Sequence, residues 1–232
     1  MRDIRSPIFF SFVVALPVLA CSPSGPRTAY ADSQRGTVAT VRASSDEEPN
    51  SSEALRFILA PTGNTARYRV REQLVGHDLP NDAVGETKSV IGGISFDANG
   101  KVIPAASKFV LDAGSFVSDK DRRDGYVRRR LLEADQYPSI VLVPTEVRGV
   151  SLPLPTSGSR PLEITGNLTV RGVTRPTMWK GTAQFQDGRI TGTAATAFTF
   201  NDIQIEQPRV PVLLSVADTI KLEIDFNLVR QP

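Results

Sequence analysis

One cysteine, Cys21, and one histidine, His77, occur among the 232 residues, and that scarcity bounds the chemistry open to this chain. A zinc site draws on several His or Cys ligands, so no metal is expected. A nucleophile needs a base within hydrogen-bond reach, and no Gly-x-Ser-x-Gly elbow is present. His77 sits in Gly76-His77-Asp78-Leu79-Pro80 and reads as an exposed loop histidine. No catalytic residue is therefore expected. The run Asp119-Lys120-Asp121-Arg122-Arg123-Asp124-Gly125 is a poor calcium loop. Its third acidic position falls one residue late, with an arginine in its place, and Arg128, Arg129 and Arg130 would repel a cation. Together with Arg122 and Arg123, those arginines form the densest positive cluster. They could meet a phosphate or an anionic membrane surface. The reading preferred here is the ordinary one, a solvated helix face paired with Glu133 and Asp135. Glu72 is in phase with Tyr68, Val70 and Leu74 and should point inward, where a carboxylate is costly unless paired. There it could meet the polar end of a ligand, unless a bulge turns it outward.

Cys21 has a different meaning. It follows the apolar run Ile8 to Ala20, broken only by Ser11 and Pro17, and Arg2 and Arg5 precede that run. Such a run is too short to span about 30 Å of hydrocarbon. Val18-Leu19-Ala20-Cys21 reads as a lipobox, with Cys21 as the lipidated residue. Ordinary signal cleavage after Ala29-Tyr30-Ala31 and an uncleaved anchor are the alternatives. Each reading puts the folded part outside the cytoplasm: a cell-envelope lipoprotein in the first case, a soluble periplasmic or secreted protein in the second. With Cys21 acylated, no thiol remains for a disulfide or a metal.

Apolar residues make up 40% and charged residues 22%, the proportions of an ordinary globular protein. A net charge of +2 without a basic tract gives no ground for a nucleic-acid partner. Residues 22–53 are rich in Ser, Pro, Thr and acidic types, show no apolar period, and read as a tether. From Leu55 the period becomes two. Tyr68 and Val70 alternate with arginines, and Ile220, Leu222, Ile224, Phe226 and Leu228 alternate with Lys221, Glu223, Asp225 and Asn227. This is the pattern of antiparallel strands with one wet face. Less regular runs at Val90–Phe96, Lys108–Leu111, Ser139–Val143, Leu162–Val170, Thr177–Phe185 and Ile190–Phe200 bring the count to about eight strands. Asp97-Ala98-Asn99-Gly100 and Gln186-Asp187-Gly188 carry turn residues. One helix is expected from an N-cap at Asp124 to before Tyr137-Pro138. It should bury Val127 and Leu131 and pair Arg129 with Glu133. Val150 to Pro161 reads as a surface loop. In Thr177-Met178-Trp179-Lys180, either the tryptophan or the methionine faces in.

The fold class is all-β, a sandwich or a closed barrel. A barrel of about eight strands is filled by its side chains or holds one small ligand. Inward Gly92, Gly166, Gly192 and Ala194 either leave room or mark places where the sheet curls.

The order of motifs narrows the choice. Asp112-x-x-Ser115-Phe116-x-Ser118-Asp119 leads to Arg123-Asp124, and Tyr137-Pro138 precedes a strand. Leu168-Thr169-Val170-Arg171-Gly172-Val173-Thr174-Arg175-Pro176 follows, and Ala217-Asp218-Thr219 opens the last alternating strand. Across about residues 54 to 229 the chain resembles the YceI-like family of polyisoprenoid-binding proteins. That resemblance implies a lipocalin-like antiparallel barrel of residues 54–230, exported by the cell, with a long isoprenoid threaded through it. Gly125-Tyr126 stands where many relatives carry a histidine, so no polar pocket is carried over from that position, and Asp202-Ile203-Gln204 departs from a common Asp-Phe-Gly.

The expectation is an extracytoplasmic carrier or sequestering module for a polyisoprenoid or isoprenoid quinone, anchored to the membrane through Cys21 and needing no cofactor. Its lumen would be lined by Tyr68, Val70, Ile94, Phe96, Phe109, Leu111, Leu168, Val170, Phe198, Phe200, Ile224 and Phe226. The alternative is a packed barrel acting as a surface interaction or stress-response lipoprotein without a bound lipid.

Overall fold

The computed structural model describes residues 55–231, so Cys21 and the segments expected at 1–21 and 22–53 lie outside the described residues. Ten strands form one sheet: β1 Leu55–Leu59, β2 Thr65–Leu74, β3 Asn81–Thr87, β4 Val90–Phe96, β5 Lys108–Asp112, β6 Ser139–Arg148, β7 Ser157–Val170, β8 Val173–Gln186, β9 Arg189–Thr199 and β10 Leu213–Gln231. The order β1-β4-β5-β6-β7-β8-β9-β10 closes on itself, because β1 also pairs with β10. Closure leaves eight staves. β1 and β2 are one stave broken at Ala60–Asn64, since both run antiparallel to β10, Leu59 opposite Leu228 and Thr65 opposite Asp225. β3 and β4 form a second broken stave along the first. The break holds buried Asn64, whose Oδ1 accepts the Asn227 N–H (2.8 Å) and whose amide donates to Ala60 O (2.7 Å). Those bonds satisfy backbone groups that the kink takes out of the ladder.

Alternation decides the two faces. Outside, Arg67 reaches Asp225 (2.7 Å) and Glu86 (3.2 Å), and Arg69 reaches Asp82 (3.2 Å), a charged lattice facing water. Each such surface pair contributes about 0–1 kcal/mol. Inside, the core runs the length of the tube, from Phe57 and Leu168 at 2% exposure to Phe198 and Phe200. A large apolar side chain so buried contributes about 1.5–3 kcal/mol. Trp179 is the inward partner of its pair and Met178 the exposed one.

One open choice is decided and several expectations are corrected. The glycines mark close backbone approach rather than spare room. A Cβ at Gly92 would lie 2.0 Å from Lys108 O, at Gly166 2.7 Å from Val143 O, and at Gly192 2.1 Å from Thr182 O. The stretch read as a loop to Pro161 already becomes β7 at Ser157, and its residues Val150 and Leu154 turn into the lumen. The helix α1 spans Asp121–Tyr126, earlier than expected, and continues as a π-helical turn Val127–Leu131. Asp124 is not its cap: its carboxylate accepts the Ser118 N–H (3.0 Å), holding the chain before the helix. Glu133 adopts a left-handed conformation (φ 48°) and pairs with Arg171 (3.1 Å) instead of Arg129. Strand β3 was not anticipated, because Asn81-Asp82-Ala83-Val84-Gly85-Glu86-Thr87 is too polar to show an apolar alternation.

Candidate functional site

The site is the inside of the tube. All twelve residues expected to face inward line one of three adjoining spaces. Ile94, Phe96, Phe109, Leu111, Leu168, Ile224 and Phe226 surround a lower void of about 140 Å³. Tyr68, Val70, Val170, Phe198 and Phe200 border a central void of about 90 Å³. Tyr68, Val70 and Phe200 also border an upper space of about 440 Å³. The voids touch in sequence, since Phe116, Ile140 and Leu222 border both the lower and the central one. A dry apolar void of about 150 Å³ takes up benzene, so the lower space accepts a body of about that size. A longer guest must use all three.

The lower end is covered by Val150 and Leu154, from the loop between β6 and β7. At the upper end, the segment between β5 and β6 lays Val127 and Leu131 over the lumen, and Val210, Val212 and Val216 complete the rim. The four-residue spacing of Val127 and Leu131 marks them in the sequence as a buried pair, whereas Val210 and Val212 come from irregular chain and carry no period. Arg123 reads in the sequence only as part of the positive cluster, because its partner Glu72 lies 51 positions away.

Polarity is concentrated in this upper space. Glu72 is buried, and its carboxylate accepts from Arg123 Nη2 at 2.5 Å, with side-chain exposures of 8% and 13%. Arg123 also donates to Asp119 and to Ser118 Oγ (3.2 Å). Burial works against the Arg123 charge, but the Asp119 and Glu72 carboxylates outweigh it and raise its pKa. The Arg123 hydrogen bond holds Asp119 below the usual carboxylate range. Glu72 is thus an inward carboxylate that is paired, as its burial requires. Tyr68, also on β2, packs its ring against Gly85 of β3, where a Cβ would sit 2.3 Å from the ring. Its centroid is 5.6 Å from that of Phe116. Burial pushes the Tyr68 phenol up to about 12, and among the described residues its hydroxyl makes no hydrogen bond. His77 is exposed at the rim.

Among the described residues, no group of three or more His, Cys, Asp or Glu side chains could hold a metal ion. Two of the three carboxylates of the acidic run are engaged elsewhere, Asp119 by Arg123 and Asp124 by Ser118. Arg122, Arg128, Arg129 and Arg130 make no ion pair among the described residues, so the expected pairing with Glu133 and Asp135 is absent.

An antiparallel tube with a greasy interior and one polar mouth is a lipocalin-like barrel. Residues 57–228 match the YceI-like domain, and the chain belongs to that family. UPF0312 proteins of Pseudomonas putida are 28% identical over 156 residues, spanning 63% of this chain and 73% of theirs. Among solved structures, a polyisoprenoid binding domain from Saccharophagus degradans implicated in plant cell wall breakdown superposes with a TM-score of 0.61 at 15% identity. That alignment covers 76% of this chain and 99% of the other. BcnA of Burkholderia cenocepacia superposes with a TM-score of 0.52 at 14% identity, over 73% of this chain and 98% of the other. At these identities the likeness is one of fold.

Proposed function

We propose that this protein holds a long polyisoprenoid or isoprenoid quinone in its barrel, as an extracytoplasmic carrier or sequestering module. The observation that carries this reading is the graded lumen: apolar voids of about 140 and 90 Å³ lead into a space of about 440 Å³ whose lining holds the buried Arg123–Glu72 ion pair. An amphiphile with a long tail and a compact oxygenated head has that gradient. The tail would be bound by removal of apolar surface from water, at about 25 cal/mol per Å². The Tyr68 hydroxyl and the Arg123–Glu72 pair would orient the head. Similarity of fold to a polyisoprenoid-binding domain supports the same ligand class. The lipobox at Cys21 supports a membrane-anchored envelope location. No reaction is assigned, since among the described residues the polar groups at the mouth include no nucleophile beside a base.

The small lower void favours a second reading, a packed barrel that acts by surface contact. Solvent extraction of the natively purified full chain, with lipids identified by mass spectrometry, separates the two. Isoprenoid at about one per chain supports the carrier. A barrel that carries no lipid, and takes up no long-chain prenol when offered it, refutes the carrier.

A further inference from the structure

Large apolar side chains left in water are unevenly distributed. Of the seven exposed among the described residues, Val75, Leu79, Val212 and Leu214 belong to segments at the mouth end, with exposures from 56% to 77%. Val75 and Val212 are joined through their backbones (3.0 Å), so the β2–β3 loop and the chain entering β10 form one raised lip. The same two residues line the upper space, which makes the exposed patch continuous with the lumen. Clustered exposed apolar surface of this kind marks a contact site. Along the same end run Arg122, Arg128, Arg129 and Arg130, unpaired among the described residues. Several carboxylates there are already engaged: Asp82 by Arg69, Asp119 by Arg123, Glu133 by Arg171 and Asp202 by Arg175. Asp78, Asp121, Asp135 and Glu206 remain exposed beside them.

We infer that the mouth of the barrel docks on a lipid bilayer, with the Val75–Leu79 and Val212–Leu214 lip inserted among the acyl chains and the arginines on anionic headgroups. A protein partner would equally cover apolar surface. The bilayer is favoured because the lip leads without a break into an apolar lumen, so a lipid tail could pass from membrane to barrel without crossing water. Apolar side chains beside arginines are also the composition that binds at a membrane interface. The inference rests on the lipid-holding reading for its purpose, and its test is independent of that reading.

The geometry supplies the control. Asn99 is exposed in the turn after β4, at the opposite end of the tube from Leu79 and at the same end as Leu55, where the preceding chain joins. Two full-length Cys21→Ser proteins, carrying Leu79→Cys or Asn99→Cys, are labelled with an environment-sensitive fluorophore. Each is mixed with vesicles of phosphatidylethanolamine and phosphatidylglycerol. The Leu79 label should shift to lipid-like emission while the Asn99 label does not. Val212→Asp with Leu214→Asp should abolish the shift. Arg128→Ser, Arg129→Ser and Arg130→Ser together should raise the lipid needed by roughly 10- to 100-fold, at about 5-fold for each arginine that reaches the surface. A shift confined to the Asn99 label, an equal shift of both labels, or no shift overturns the docking. Uptake of a long-chain prenol by the same proteins is measured in parallel. Uptake without docking refutes this inference alone, and loss of uptake bears on the ligand.

Discussion

Filling the lower void tests whether a guest uses it. Ala194, 3% exposed on β9, borders that void opposite Gly181 of β8. Ala194→Phe adds one phenyl ring to a space of about 140 Å³, and a benzene ring occupies a void of about 150 Å³. Burying the ring contributes about 1.5–3 kcal/mol, and crowding against the neighbouring strands costs about 1–3 kcal/mol. Stability should therefore stay within about 2 kcal/mol of the parent. The guest suffers more. Displacing one isoprene unit removes about five carbons at ~0.8 kcal/mol each, about 4 kcal/mol or roughly 1000-fold in Kd. Trp179 is the single tryptophan and borders the same void, so its emission reports occupancy during titration with a long-chain prenol. A prenol short enough to be held by the upper space should lose little affinity. If Ala194→Phe folds like the parent and binds the long prenol equally well, the lower void is not part of the binding path.

Other perturbations address the collar and the wall. Glu72→Gln leaves Arg123 with Asp119 and Ser118, so the loss should be about 2–3 kcal/mol by urea unfolding, below the roughly 3–5 kcal/mol of a wholly orphaned buried charge. A double-mutant cycle with Arg123→Met should give a coupling above about 1 kcal/mol, and one near zero would show the pair to be idle. The Tyr68 phenol binds its proton more tightly folded (about 12) than unfolded (about 10), so the associated stability is intact below about pH 10 and lost as pH rises through 12. Tyr68→Phe should remove up to ~2.7 kcal/mol of that alkaline loss, and unchanged pH profiles would contradict the burial argument. Gly181→Ala would set a Cβ 1.9 Å from Thr193 O, backbone that cannot step aside. A cost of about 3 kcal/mol should lower Tm by about 10 °C, and a shift within about 2 °C would refute the steric reading.

The lumen was legible because burial on one face of a strand writes itself as a period of two, and Ile224, Phe226 and their counterparts needed nothing else. Glu72 was legible by the same phase, but its partner was not. Arg123 lies 51 positions away on an element whose irregular π-helical turn carries no capping signal. Glycine could not be interpreted from sequence, since a missing side chain looks the same whether it leaves a gap or admits a neighbouring backbone. At Gly92 and Gly192 it admits the backbone. The lip residues Val75 and Val212 carry no period, so only folding brings them together.

One stretch of the wall is held differently from the rest. Above the level where β4 leaves β5, strand β3 meets no further strand on its outer edge. The bridge between Glu86 and Val117 joins it to the helical segment, through two backbone hydrogen bonds of 2.9 Å, with Thr87 Oγ1 and Ser115 Oγ 2.6 Å apart beside it. Every other seam is a ladder of several residue pairs. Parting this one sacrifices the fewest bonds, so the wall can widen here to let a bulky tail follow its head in from the mouth, like a cable pressed into a slit conduit. Amide exchange at Glu86 and Val117 should accordingly outpace that of the neighbouring ladders.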